Sequence, residues 1–598
     1  MSKYQVQFGN TNFVPSPYQE AIFDNIEHGV GDMIIKAAAG SAKTTTLVNC
    51  INIIPKNKRI LFLAFNKDIV TTIENKLGPT PNAKICTFHS LGRSIFCETN
   101  GYIAENQINE FKYKNYIEQN IEYLTNPQQL HAMGKARKIY LNNIISLIDF
   151  SRHALAFKEK EILKVAEKYG YGLVFDEPSV VRKALKWGKE NLSTIDFTDM
   201  IWLPNALNML TKKDLFDWIL IDEAQDITIA QQQLVTKCYK RGCRVIAVGD
   251  ENQRINIWAG SDEHAIETFK ERYGETTKYF PLPISYRCPK KVVAIANEIL
   301  AGIGKSKHEI ITPDNAIDGI IRYDVSKFDP IDGDMVLCRI TAPLISLHLQ
   351  YLQNNKHSYV RGYEDIQRNY IDIITSTDAT DIDKGLKNPN GLFVKLYDRL
   401  INIIKKNMDN YLLSYEDAVN STNVITFYDA ILAIEILSQG VDNTWQLLEK
   451  INDVFATQNT KGVQLSTIHK AKGLEADNVY ILKYSLMPMK SATKEWEILS
   501  EENLRYVAVT RAIKSLNFIK DENFYKKNQD EISFDTREML KKIEHVRLLL
   551  GYPPLDDDEV TDFEARKMII EENPLLLEAN SGKTHNKKIT KKVNSFSF

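Results

Sequence analysis

Short apolar runs, each closed by small or acidic residues, alternate along most of the chain with stretches of helical spacing. Residues 33–37 (MIIKA) form one such run. The small-residue segment after it leads into TTTLVNCINII, so strand, loop and helix are predicted in that order. Runs at 59–67 (RILFLAFNK) and 83–90 (AKICTFHS) predict further strands at the spacing of a parallel sheet. FDWILI predicts a strand ending just before Asp222 and Glu223, and a second apolar strand ends at Gly249 and Asp250.

Lys43 and Asp222 are too far apart for a minimal sheet of this kind, at roughly 30 residues per strand–helix–strand unit. The polar, Tyr- and Lys-rich stretch 94–191, with helical spacing in FKEKEILKVAEKYG, is therefore read as an inserted helical subdomain, dividing a first lobe into 1–93 and 192–283. The pattern restarts in SYRCPKKVVAIANEIL (a helix) and GDMVLCRITAPLISLHLQYL (strand, then helix), giving a second lobe over 284–380 and 460–530. A smaller helical insertion over 381–459 interrupts it, and strands resume at VQLSTIH and NVYILKY. A C-terminal extension, 531–598, has a few helical turns and a basic, disorder-prone tail. The fold class expected is α/β, with two parallel-sheet lobes, each carrying a mainly helical insertion.

A chain of 598 residues fits several folding units. At 43% hydrophobic and 25% charged it sits near globular averages, and its longest apolar runs, such as 60–65, are too short to span a bilayer. The opening MSKYQVQFGN has no basic patch followed by an apolar stretch, so an intracellular, reducing compartment is expected. The seven cysteines are scattered without metal-ligand spacing and read as core thiols. A net charge of −2 excludes a wholesale cationic surface, but leaves room for a cleft that grips a single strand.

Candidate chemistry starts at residues 37–44 (AAAGSAKT). Gly40 lets the backbone approach a phosphate, Lys43 neutralises phosphate charge, and Thr44 can ligate Mg²⁺. Ala42 stands where glycine is usual, and alanine fits that position where φ is negative. Asp222 would hold Mg²⁺ and Glu223 would polarise the attacking water, since both carboxylates emerge at a strand's C-terminal end. The Gln253 amide can sense a γ-phosphate. The Trp258 ring either stacks on a base or packs into the protein.

The complete set of boxes resembles the superfamily 1A helicases, the UvrD/Rep/PcrA group. PSPYQEAI is similar to their Q motif, LAFNK and TFHSLG to motifs Ia and Ib, and IDEAQD to motif II. SYRCP, VQLSTIHKAKGLEADNVYIL and EENLRYVAVTRA follow as motifs IV, V and VI, covering residues 13–520 in the family's order. The wording of LAFNK and TFHSLG is close to the F-box DNA helicase branch, though no F-box is recognisable in these residues.

That resemblance implies two RecA-like lobes with ATP hydrolysed at the cleft between them. The ATP site would comprise Ala39, Gly40, Ser41, Ala42, Lys43, Thr44, Thr45 and Gly473, with Gln19 on adenine, Tyr286 stacked on it, and Glu475 at the ribose. Arg287 and Arg511 would reach the γ-phosphate. Phe65, Asn66, Thr87, His89, Trp258 and His469 would face single-stranded DNA. Asn256 and Ala259 replace the tyrosine and arginine common in the family, which thins the expected contacts around Trp258.

The expectation is an ATP-dependent DNA helicase or translocase using ATP and Mg²⁺ on single strands and single-strand/duplex junctions. The resemblance implies 3′ to 5′ movement and replication, repair or recombination proteins as partners. A nucleotide-gated DNA-binding or loading factor with weak hydrolysis is the alternative. A helicase-nuclease lacks a convincing acidic frame in the C-terminal extension.

Overall fold

A computed structural model describes residues 4–8, 11–78, 80–133, 136–173, 175–257, 260–261, 276–304, 309–326, 328–411, 413–456, 461–489, 492, 494–520 and 536–552. Trp258 and Ala259 lie outside the described residues, as does most of the C-terminal tail. The chain forms two compact units, the first from residues 4–286 and 309–313, the second from 287–304 and 314–552.

The first unit opens with a small hairpin, β1 (Val6–Phe8) and β2 (Thr11–Phe13). Its main sheet holds β3 (Met33–Ala37), β4 (Ile60–Ala64), β5 (Ala83–Thr87), β6 (Phe216–Ile221), β7 (Tyr239–Gly249) and β8 (Lys278–Leu282). The order is β5-β4-β6-β7-β3-β8, and every pair is parallel. Helices cover its faces: α1 (Pro17–His28), α2 (Lys43–Ile53), α3 (Lys67–Leu77) and α4 (Phe88–Asn100). All residues of β4 and β6 are buried, which is why these strands read as unbroken apolar runs rather than alternating ones.

The insertion between β5 and β6 contributes α5 (Lys112–Leu124), α6 (Pro127–Ala132), α7 (Ala136–Ala154), α8 (Glu159–Lys168) and α9 (Glu177–Glu190). The chain leaves and rejoins the sheet layers at one pinch, where Ile108 bridges Ile195 and the amide of Asn109 donates to the Ile195 carbonyl at 2.8 Å. Residue 94 itself falls inside α4. Next come α10 (Phe197–Ala206) and α11 (Ile229–Thr236). α10 crosses α4 closely: a Cβ at Gly92, the glycine of TFHSLG, would lie 2.2 Å from the Met200 carbonyl oxygen.

The second unit holds β9 (Ile320–Val325), β10 (Met335–Cys338), β11 (Ser358–Val360), β12 (Val463–Thr467), β13 (Ala476–Ile481) and β14 (Ala512–Ile519), ordered β11-β12-β10-β13-β14-β9 and all parallel. Between β11 and β12 lies a helical insertion that already begins with helix Tyr363–Thr375 and continues through Leu392–Tyr411, Thr422–Leu437 and Thr444–Ala456. It shares one core with the sheet's helices, and Asp429 ties the two: its carboxylate accepts the amides of Thr341 and Ala342, both at 2.7 Å. The C-terminal helix Thr536–Leu549 adds Met539, Ile543 and Val546 to this core, so it is an integral part of the unit.

All seven cysteines are free thiols, five of them buried, in keeping with a role in packing. Burial pushes the Cys86 thiol up to about 11 and the Cys338 thiol up to about 12. Among the described residues no helix is long and apolar enough to cross a membrane.

Candidate nucleotide and nucleic-acid sites

β3, β6 and β7 end side by side at Ala37, Ile221 and Gly249, and the residues just beyond them meet. After β3 the chain turns through Gly40 (φ 70) and Ala42 (φ 61) into α2. Ala42 is thus left-handed, which corrects the expectation of a negative φ: the turn that aims Lys43 back at the sheet requires the conformation glycine adopts most easily. No side chain caps α2, so its first-turn N–H groups and the positive end of its dipole face the loop, as an anion site requires.

Lys43 is largely covered, its side chain 10% exposed, and pairs with Glu223 at 3.3 Å. Burial alone would lower its affinity for a proton, but the charges of Glu223, Asp250 and Asp222 outweigh that and hold the ammonium above its ordinary value. The Thr44 hydroxyl donates to Asp222 at 2.6 Å. Burial and the neighbouring Glu223 charge push Asp222 up to about 6, despite the Thr44 bond and Lys43.

Glu223 is itself left-handed (φ 53), which turns its carboxylate towards Lys43 and away from the strand axis. Gln225, a residue given no role from sequence, links the acidic strand ends. Its amide nitrogen donates to Glu223, while its oxygen accepts the amide of Asp250 at 2.9 Å. A Cβ at Gly249 would sit 2.6 Å from that oxygen, so glycine is needed for the bridge. Gln253 donates to Asp250 at 2.8 Å, placing its amide in the same network. The signal for Gln225 was present as a polar residue inside an otherwise acidic box.

Two other first-unit residues differ in availability. Tyr286 donates its backbone N–H to the Gly40 carbonyl at 2.9 Å and leaves its ring 48% exposed beside the phosphate loop. Gln19 is 1% exposed and its amide is engaged at both ends, accepting the Ser16 amide at 3.0 Å and donating to Thr46 at 3.0 Å. It locks the start of α1 onto α2.

The hard-oxygen donors Thr44 and Asp222, touching each other beside a lysine and a second carboxylate, fit a divalent cation such as Mg²⁺.

A second cluster at strand ends lies next to this one. β4 and β5 pair so that Ala64 stands opposite Thr87. Phe65 and Asn66 follow β4, both exposed, and Asn66 caps α3 by accepting the Ile69 amide at 2.9 Å. Thr87 caps α4 by accepting the Ser90 amide at 3.2 Å, with His89 exposed in its first turn. Phe197, which sequence reasoning passed over, is 47% exposed and meets the His89 ring edge-on, centroids 6.4 Å apart. Two helix N-termini flanked by exposed rings suit a phosphodiester strand with unstacked bases.

In the second unit, Arg287 pairs with Glu475. Next to it the Cys288 thiol donates to the Thr510 carbonyl at 3.5 Å. Arg511 is 1% exposed, and its guanidinium donates to the carbonyls of Val507 at 2.9 Å and Leu474 at 3.2 Å and to the Thr510 hydroxyl at 3.0 Å. Three segments distant in sequence are thereby gathered around two arginines. Gly473 turns with φ 85 just before them, with open space around it. His469 follows β12, where burial and then the Arg339 charge push it down to about 3, so it is a neutral ring.

Residues 19–274 match the family described as UvrD/REP helicase N-terminal domain. The chain is 21% identical to a probable DNA helicase II homolog of Mycoplasma genitalium, covering 87% of this chain and 72% of that one. It is 22% identical to ATP-dependent DNA helicase PcrA of Staphylococcus epidermidis, over 81% of this chain and 80% of that protein. To PcrA of Bacillus subtilis it is 26% identical over 48% of this chain and 39% of that protein. With its two parallel six-stranded sheets and the acidic strand ends facing a phosphate loop, the chain is similar to the UvrD-like superfamily 1 helicases, and its residues 19–274 match their N-terminal domain.

Proposed function

We propose that this protein is an ATP-dependent DNA helicase that translocates 3′ to 5′ on single-stranded DNA and opens duplex at a junction. The observation that carries the reading is the set Lys43–Glu223 and Thr44–Asp222, tied through Gln225 and Asp250 to Gln253. ATP phosphates would take over Lys43 and the first-turn amides of α2, and the Tyr286 ring would cover the base. Thr44 and Asp222 would hold Mg²⁺, which supplies charge neutralisation for the phosphates when bound. Once Lys43 has moved to phosphate, Glu223 is free to orient and polarise a water.

Arg287 and Arg511 would exchange Glu475 and their carbonyl partners for phosphate oxygens during turnover, stabilising the charge of phosphoryl transfer. Phe65, Asn66, Thr87, His89 and Phe197 would line the path of the strand, with Trp258 and His469 contributing as the resemblance implies. The test is phosphate release with and without single-stranded DNA, followed by unwinding of partial duplexes bearing a 3′ or a 5′ overhang. Strong DNA stimulation and opening of the 3′-tailed substrate alone are expected. Opening of the 5′-tailed substrate alone would reverse the polarity.

A second reading has one observation in its favour. The left-handed Ala42 makes the loop costlier to hold than a glycine loop, which suits a nucleotide-gated DNA-binding factor with slow turnover. Tight ATP-dependent DNA binding with negligible phosphate release would select it.

A further inference from the structure

We infer that Arg152, in the inserted helical segment, is a positioning residue for DNA binding: it fixes the helix start that presents Phe197 to His89. The inference rests on reading His89 and Phe197 as DNA-facing.

Arg152 lies near the end of α7 and is 1% exposed. Its guanidinium pairs with Asp196 at 2.7 Å and Asp199 at 2.9 Å, and also with Asp149 on its own helix. The face of the Tyr113 ring, from α5, lies 4.1 Å below it. Asp199 in turn receives Lys112 at 2.6 Å and the Tyr113 hydroxyl at 3.0 Å. Two helices of the insertion therefore grip one short stretch of the sheet-bearing layer through two carboxylates.

That stretch is the N-terminus of α10. Asp196 is its cap, accepting the Asp199 amide at 2.7 Å, and Phe197 is its first residue. One carboxylate thus performs two tasks, capping the helix and pairing with Arg152. Where Phe197 points follows from how that cap is held, because the side chain projects from the residue after it. A buried carboxylate without its counter-charge is strongly disfavoured, so removing Arg152 forces Asp196 and Asp199 to reorganise, and the Phe197 ring moves with them. A buried ion network adds little net stability over apolar packing, and fixing one geometry is the better-attested reason to keep one.

The experiment uses the full chain and an oligo-dT single strand. It measures the DNA concentration for half-maximal stimulation of phosphate release, alongside release without DNA and the KM for ATP. Asp196→Asn retains a capping side chain while removing the charge that meets Arg152, Arg152→Met removes the cation, and Arg152→Lys restores it. The expected result is a rise of roughly tenfold or more in the half-maximal DNA concentration for Asp196→Asn and Arg152→Met, in line with the loss of one base-stacking platform. Release without DNA and the KM should stay within about twofold, and Arg152→Lys should recover most of the DNA response.

If Arg152→Met fails to fold, Asp196→Asn carries the test by itself. An unchanged half-maximal DNA concentration in Asp196→Asn overturns the inference, as does a fall in DNA-free release that accounts for the whole effect. A wild type without any DNA stimulation would instead overturn the reading of the DNA-facing cluster.

Discussion

Lys43 and Glu223 meet at 3.3 Å, and the backbone is turned left-handed at Glu223 itself and at Ala42, the residue before the lysine. Residues bearing a Cβ resist that conformation by about 1–2 kcal/mol each. Both residues border the proposed nucleotide site, where a fold tolerates such strain for function. The resting lysine is held by carboxylates, so the acid proposed to act on water is occupied until phosphate competes for its partner.

Removing either partner should therefore have different consequences. Lys43→Ala leaves Glu223, Asp222 and Asp250 facing one another, and should lose nucleotide binding together with about 3 kcal/mol of stability. Glu223→Gln relieves that repulsion and should bind nucleotide and stay folded, while phosphate release falls roughly 10²–10⁴-fold. Nucleotide-binding titrations and urea denaturation of both variants check this. A Lys43→Ala protein as stable as wild type would contradict it.

Ala42→Gly should raise stability by about 1 kcal/mol or somewhat less, because relief of the left-handed strain is partly offset by the freedom glycine adds to the unfolded chain. Ala42→Val, β-branched at the same φ, should destabilise. The urea midpoints of the two variants should fall on opposite sides of wild type.

Asp429 gives a pH-dependent prediction far from the nucleotide. Burial pushes its carboxyl up to about 6, although the amides of Ala342 and Thr341 pull the other way. The folded state thus holds this proton more tightly than the unfolded chain, whose value is about 3.9. The stability it contributes is complete below that value and is lost as pH rises through 6. Between pH 4.5 and 7.5, wild type should lose stability relative to Asp429→Asn, read as converging or crossing urea midpoints; parallel midpoints would contradict it.

The two clusters of the first unit should separate functionally. Tyr286→Ala should raise the KM for ATP and leave DNA affinity in the absence of nucleotide unchanged. Phe197→Ala should weaken DNA binding by about 1–3 kcal/mol and leave that KM unchanged. Fluorescence anisotropy with a labelled oligonucleotide and steady-state kinetics distinguish them, and a variant that shifts both quantities equally would show that the clusters are not independent.

Local patterns carried much of this architecture. The apolar run at 33–37 followed by small residues gave strand, loop and helix, and unbroken runs such as FDWILI marked strands buried on both faces. Strand ends were less legible: RILFLAFNK and AKICTFHS overran because Phe65 and Phe88 prolong the apolar runs beyond Ala64 and Thr87, whereas the structure uses Asn66 and Thr87 as helix caps. The sign of φ at Ala42 depends on where Lys43 must point, a tertiary fact with no local signature. The pinch at Ile108 and Ile195, and the meeting of Arg287 with Glu475, join residues whose sequence neighbourhoods say nothing about each other.

The strand order of the first sheet constrains how the protein is made. β3, which carries the phosphate loop, is flanked by β7 and β8, and β4 reaches the sheet's centre through β6, so these contacts wait for chain synthesised much later. At roughly 5–20 residues per second, a ribosome needs on the order of 10–40 s to pass from the loop to β7. During that interval β3 lacks both its neighbours and β4 lacks one, and a fragment ending after β5 should be insoluble by itself. The phosphate loop precedes most of the strands around it, and only the completed sheet can shape it.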